Sequence, residues 1–97
     1  MPFKQKETED QRLVVLRSLI DFGYSANESI IQDFLEMFGH TVSRDKVRSH
    51  FAWLDEQGLI TYEDVLGCYV AKLTARGQDV AEGRVLVPGI KKPRAGA

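Results

Sequence analysis

The chain has 97 residues, of which 43% are hydrophobic and 28% charged, and its formal net charge is −1. This length supports one compact domain, and the composition is that of a folded protein rather than of a disordered or membrane-embedded one. The single cysteine excludes an internal disulfide, and without an apolar run of about 18 residues or a secretory signal we expect a cytoplasmic protein that binds no membrane.

The first predicted element is a helix between Glu7 and Phe22, which Gly23 ends. Its apolar residues recur at helical spacing but cover about half of the circumference, which is more than one packed face requires. The helix is therefore either enclosed within the domain or shared with a second subunit, and the sequence leaves both alternatives open. The side chains that a subunit interface would use are Leu13, Val15, Leu16 and Leu19.

A second helix is predicted from Ser25, because Ser25 and Glu28 have the spacing of a capping box, and Gly39 closes it. Its predicted core face comprises Ile30, Ile31, Phe34, Leu35 and Phe38. The opposite face is predicted to be a solvated acidic surface that comprises Glu28, Gln32, Asp33 and Glu36.

Ser43 is predicted to cap a third helix that runs from Arg44 to Gln57 and stops at Gly58. Its core positions, at i, i+4 and i+7, are Val47, Phe51 and Leu54. The outward side near its N-terminal end is predicted to carry Arg44, Asp45, Arg48 and Ser49.

The pattern then changes to β-rich runs at 59–65 and 68–73, separated by Leu66 and Gly67, which predicts a two-stranded hairpin. Thr74 can cap a short fourth helix that extends to Glu82 and stops at Gly83.

The C-terminal segment 84–97 is basic. It contains four of the 13 Lys and Arg residues and no acid, so the rest of the chain has a net charge of −5. We expect an extended, flexible tail. The basic side chains of this tail could bind a phosphate backbone or an acidic protein surface. Alternatively, they only make a disordered terminus soluble, and the sequence leaves both alternatives open.

Three helices, a hairpin and a short helix follow one another in the order of a winged helix-turn-helix domain. The stretch from Val42 to Arg48, continuing from Trp53 to Ile60, resembles the recognition helix and first wing strand of winged-helix regulators, and 73–77 resembles the sequence after the wing. More narrowly, the chain is similar to small ArsR-like winged-helix proteins of Mu-like bacteriophages. This resemblance covers residues 10–83 and implies a fold and an origin but no activity.

The expected fold is mainly α with a small β-hairpin: a three-helix bundle with a two-stranded wing and a short C-terminal helix. We expect residues 1–9 to form an N-terminal extension, 10–83 the winged helix-turn-helix domain and 84–97 an extended basic tail.

The resemblance implies a set of DNA-facing positions on the third helix, which are Arg44, Asp45, Lys46, Arg48 and Ser49. In this interpretation one arginine pairs with guanine and the other basic side chains bind phosphates. The alternative is that these residues form a solvated helix face. The tail residues assigned to the same contact are Lys91, Lys92 and Arg94. Glu63 and Asp64 near the hairpin tip argue against DNA, because acids repel phosphates.

Trp53 lies off the core stripe, so it is either a rim residue over the hairpin or the anchor of an interface. His50 borders the core, where a hydrogen-bonded structural role is expected.

Cys68, His40 and His50 belong to different elements, so we predict no metal site, and we expect no cofactor. No recognisable catalytic motif is present, which predicts that the protein is not an enzyme.

Two functions are compatible with these features. The main prediction is a dimeric winged-helix protein that binds double-stranded DNA and acts in phage gene regulation or DNA handling, in the cytoplasm of the bacterial host. The alternative is a winged-helix module that binds a phage or host protein as an accessory or assembly factor. The acidic body, the acidic hairpin and the wide apolar arc of the first helix favour this alternative.

Overall fold

The computed structural model describes residues 2–94, which form four helices and a three-stranded antiparallel sheet. In chain order the elements are α1 (Pro2–Asp21), β1 (Ser25–Asn27), α2 (Glu28–Met37), α3 (Arg44–Glu56), β2 (Ile60–Val65), β3 (Cys68–Leu73) and α4 (Ala75–Ala81). The fold is therefore a small mixed domain of helices and sheet rather than a mainly helical one with a two-stranded hairpin.

Helix α1 is longer than predicted, because residues 2–9 of the expected extension already belong to it. Its wide apolar arc is covered by the chain itself, since α2, α4 and the sheet all contact α1. The four side chains assigned to a subunit interface are at most 3% exposed; they are Leu13, Val15, Leu16 and Leu19. Their assignment to an interface is therefore wrong, because the core of the same chain buries all four side chains.

The start of α2 also differs from the prediction. Ser25 lies in β1, where it pairs with Lys72 of β3, and Asn27 caps the helix by accepting a hydrogen bond from the Ile30 amide at 2.9 Å. The sheet order is β1-β3-β2, so this short strand adds a third member to the predicted hairpin. The capping-box prediction fails because Ser25 pairs with β3 two residues before the N-cap, so its side chain does not cap α2.

The predicted core face of α2 is only partly buried. Ile31 and Leu35 are fully buried, and Ile30 and Phe34 are half-buried. Phe38 follows the helix as its C-cap and is 59% exposed.

The prediction for α3 and the hairpin is confirmed. Ser43 caps α3, with its Oγ 3.0 Å from the Lys46 nitrogen, and the three predicted core residues Val47, Phe51 and Leu54 are completely buried. Strands β2 and β3 pair from Ile60–Leu73 to Val65–Cys68.

The predicted cap of α4 is confirmed as well, because the Thr74 hydroxyl accepts from the Gly77 amide. A Cβ atom at Gly77 would lie 2.0 Å from the Leu59 carbonyl oxygen, so the close approach of this loop requires glycine inside the helix.

The C-terminal segment is not a free tail up to residue 94. Val87 and Ile90 join the hydrophobic core, and the Lys91 amide donates to the Glu9 carbonyl at 3.2 Å. The Arg12 guanidinium donates to the Gly89 carbonyl at 2.8 Å. The segment therefore packs along α1 of its own chain, because its apolar residues bury surface there. Residues 95–97 of the predicted tail lie outside the described residues.

Candidate functional site

The residues predicted to face DNA do not share one face of α3. At 100° per residue, Asp45 and Ser49 point away from the core, and Ala52 and Glu56 continue this exposed ridge. The three basic residues lie on its flanks: Arg44 and Arg48 on the side of α2 and the hairpin, Lys46 on the side of α1. The outward ridge of α3 is therefore acidic and polar rather than basic.

Glu28 lies at the junction of α2, α3 and the hairpin and is completely buried. Its Oε1 accepts from Arg48 Nε at 2.6 Å, and its Oε2 accepts from Arg48 Nη2 at 2.8 Å and from the Tyr69 amide at 2.9 Å. The hydrogen bonds from Arg48 lower the pKa of Glu28 and outweigh burial, which raises it. The prediction that Glu28 is a solvated surface acid is therefore wrong.

Arg48 connects three elements in what we call the Glu28–Arg48 clamp. Besides its two hydrogen bonds to Glu28, it donates from Nη2 to the Gly67 carbonyl at 3.0 Å, and its guanidinium lies 4.0 Å from the centre of the Tyr69 ring. The hydrogen bonds to Glu28 raise the pKa of Arg48. The forked donor pair that would recognise guanine is thus already committed within the protein.

The other predicted basic contacts are dispersed. Arg44 donates from Nε to Gln32 of α2 at 2.8 Å. Lys46 lines a polar groove of about 600 Å³ beside α1, together with Lys4 and Arg12.

The basic residues of the C-terminal segment lie elsewhere. Lys91 Nζ is 3.4 Å from Asp10, whose other oxygen is 2.6 Å from His40 Nε2. Burial raises the pKa of Asp10, but the hydrogen bonds from His40 and Lys91 outweigh it and lower the pKa overall. Lys92 is exposed, and Arg94 borders a groove beside α4. The fold therefore does not join these residues to α3 in one basic track.

The hairpin tip carries the feature that sequence reasoning missed. Leu66 is fully exposed and has a φ of +52°, and its neighbour Val65 is 44% exposed. Asp64 accepts a hydrogen bond from the Gly67 amide at 2.7 Å, and Glu63 beside it is exposed. Two-residue hairpin turns favour Asn, Asp or Gly at such a position. A leucine in the predicted turn could therefore have identified an exposed apolar tip from the sequence.

Trp53, for which the sequence left a rim position over the hairpin and an interface anchor open, lies against α1 and the C-terminal segment. Its ring is covered by the Arg12 guanidinium at 3.8 Å, and a Cβ atom at Gly89 would be 2.7 Å from its Cζ2 atom. Trp53 is therefore half-buried by α1 and the C-terminal segment of its own chain.

The prediction for His50 is confirmed. The side chain is buried, and its Nε2 is 2.8 Å from Gln11 Oε1. Burial and the nearby charge of Lys46 lower the pKa of His50 to about 4. His50 is thus a neutral structural residue at neutral pH.

Within residues 2–94 no group of three or more His, Cys, Asp and Glu side chains is placed to hold a metal ion. Cys68 is a half-buried residue of β3. No helix in this described range is long and apolar enough to cross a membrane.

Together these features define a small domain of four helices and an antiparallel sheet, in which a buried glutamate and an arginine hold a hairpin against α3. The chain is 61% identical over 87 residues to "Uncharacterized protein gp26" of Escherichia phage Mu, covering 90% of this chain and 91% of that protein. It is 57% identical over 77 residues to an "Uncharacterized protein" of Haemophilus influenzae strain Rd, covering 78% and 76%. The chain belongs to the family of phage Mu gp26. No family model matches the chain, and no solved structure gives a significant match.

Proposed function

We propose that this protein is a winged-helix domain that binds another protein, and that the hairpin tip contacts this partner. The topology supports a winged-helix assignment, since two helices joined by a turn precede a hairpin whose second strand pairs with a short strand between α1 and α2. The kinship with a phage protein is consistent with a role as an accessory or assembly factor in phage development.

The observation that carries the proposal is the exposed leucine on the clamped hairpin. Leu66 buries nothing in its own chain, and its left-handed backbone conformation costs about 1 kcal/mol relative to a residue suited to the turn. The hydrogen bonds of Arg48 and Asp64 to Gly67 hold the tip in place. A tip whose backbone is already held in place loses little backbone entropy on binding, which favours its use as an anchor.

The charges around this anchor define the chemistry of the partner. Glu63 and Asp64 precede the tip, and neither forms an ion pair within residues 2–94. Such a tip fits an apolar pocket with a basic rim on another protein. It is poorly suited to duplex DNA, because acids close to phosphates repel them.

The test is Leu66→Asn, because asparagine tolerates a positive φ and leaves the fold at least as stable. Leu86→Asn is the matched control, since Leu86 is 63% exposed but lies outside the hairpin. A photoreactive residue at position 65 should crosslink a protein in nuclease-treated lysate of cells that naturally produce this protein. With the captured partner, Leu66→Asn should weaken binding about 30-fold, as for an interface hot spot, and Leu86→Asn should not.

Two results would overturn the proposal. One is the absence of any crosslinked protein. The other is crosslinking of the same strength in both asparagine variants, which would show that the leucine at the tip makes no contact.

DNA binding remains the second candidate because Arg44 and Lys46 are exposed in the first turn of α3. In that case Arg48 is a positioning residue that holds the hairpin and does not read bases. We expect fluorescence anisotropy with mixed-sequence duplex DNA to show only weak binding, with a salt slope of at most about 2. A steeper slope, lowered by about 1 in Arg44→Ala, would favour DNA and contradict the protein-binding proposal.

A further inference from the structure

We infer that two copies of this chain associate through a groove that is lined by α1, the end of α2, the end of α4 and the C-terminal segment, and which we call the aromatic groove. This surface is separate from the hairpin tip. The groove has a volume of about 640 Å³, and the lining residues that matter here are Val14, Arg17, Ile20, Asp21, Phe34 and Phe38.

The side of the aromatic groove that α2 forms is aromatic. Phe34 packs edge-on against Phe22 at 5.0 Å between ring centres and lies 6.0 Å from Phe38. Phe22 and Phe38 are 45% and 59% exposed. Three contiguous phenylalanine rings that remain in contact with water indicate an interaction surface rather than an isolated exposed side chain.

The charges in the groove identify the second copy as its occupant. Five charged side chains line the groove, and two of them, Asp10 and Glu82, form ion pairs with other residues. The side chains of Arg17, Asp21 and Arg94 make no ion pair within residues 2–94, and Arg17 and Asp21 lie one helical turn apart. A basic residue before an acidic one is the less favourable order for an i, i+4 pair within a helix. Across a two-fold axis, however, Arg17 meets Asp21 of the partner subunit and the reverse contact forms as well. The surface is therefore complementary to itself.

This dimer differs from the one predicted from the sequence. The core buries the four α1 residues that the sequence assigned to an interface. The dimer inferred here instead uses residues at the border between α1 and α2.

The experiment is sedimentation equilibrium of the full chain at tens of micromolar, with circular dichroism to verify folding of each variant. We expect a mass of twice 11.0 kDa. Arg17→Asp and Asp21→Arg each place like charges opposite one another and should raise the dimer dissociation constant at least about ten-fold. The double variant Arg17→Asp with Asp21→Arg exchanges the two charges and should restore wild-type association.

Phe38→Ser should also weaken the dimer. Its control is Met37→Ser, because Met37 is 74% exposed and adjoins Phe38 at the end of α2 but does not line the groove. A wild-type monomer at this concentration would overturn the inference. A dimer that withstands the Phe38 and charge variants would also overturn it, because association would then use another surface. Neither result bears on crosslinking at the hairpin tip.

Discussion

The contribution of the Glu28–Arg48 clamp to stability can be measured by replacing Glu28 with Gln. The amide has nearly the same shape, but one of its oxygens becomes an NH₂ group that faces a donor, so at least one of three hydrogen bonds is lost. A hydrogen bond to a charged group contributes about 1.5–3 kcal/mol. Because the Arg48 side chain is 35% exposed, solvent screens the pair, and we expect a loss of about 2 kcal/mol. For a domain of this size, the loss lowers Tm by roughly 8–16 °C.

The effect depends on pH in a defined direction. The folded state lowers the pKa of Glu28 below its ordinary value of 4.5, so the unfolded state takes up a proton first. The stabilisation by the clamp is complete above pH 4.5 and disappears as the pH falls through the folded-state pKa. The wild type and Glu28→Gln should therefore approach the same stability on acidification.

Thermal unfolding followed by circular dichroism at pH 7 and at stepwise lower pH is the assay. Glu36→Gln is the control, because Glu36 is an exposed acid of the same helix without an ion pair among the described residues, and its replacement should change stability by less than about 0.5 kcal/mol. A Tm difference under about 3 °C at pH 7 would refute the argument, as would a difference that stays constant on acidification.

Two further predictions concern the surroundings of α1. NMR titration of His50 should give a midpoint near pH 4; because the unfolded state binds this proton at about 6.5, stability should fall as the pH drops from 6.5 towards 4. A midpoint near 6.5 would show that the imidazole is not enclosed. Gly89→Ala should displace the Trp53 ring and shift its fluorescence to the red, because the added Cβ lies 2.7 Å from the indole and φ is +97°. Gly89→Ala should lower the free energy of unfolding by about 1–3 kcal/mol more than Gly39→Ala does, because Gly39 has a similar φ of +89° but an added Cβ there meets open space. Equal losses of stability and unchanged Trp53 emission would contradict this prediction.

The sequence by itself determined the elements whose causes are local. Ser43 and Thr74 begin α3 and α4 because their hydroxyls bond amides three residues away. The spacing of Val47, Phe51 and Leu54 places them on one side of a helix whatever covers that side. The hairpin likewise follows from two β-rich runs around one short turn.

Only the tertiary structure decided what those elements bury and pair. Glu28 appears on a helical wheel as a surface acid, but Arg48, 20 residues later, and the Tyr69 amide, 41 residues later, enclose it. The apolar arc of α1 left two alternatives open. The apolar pattern shows how much of the helix surface must be buried, but it does not show whether the same chain or a second subunit buries it. The basic residues of α3 and of the C-terminal segment looked like one DNA surface for the same reason. Arg44, Arg48 and Lys91 instead contact Gln32, Glu28 and Asp10, and these long-range contacts depend on chain topology rather than on local spacing.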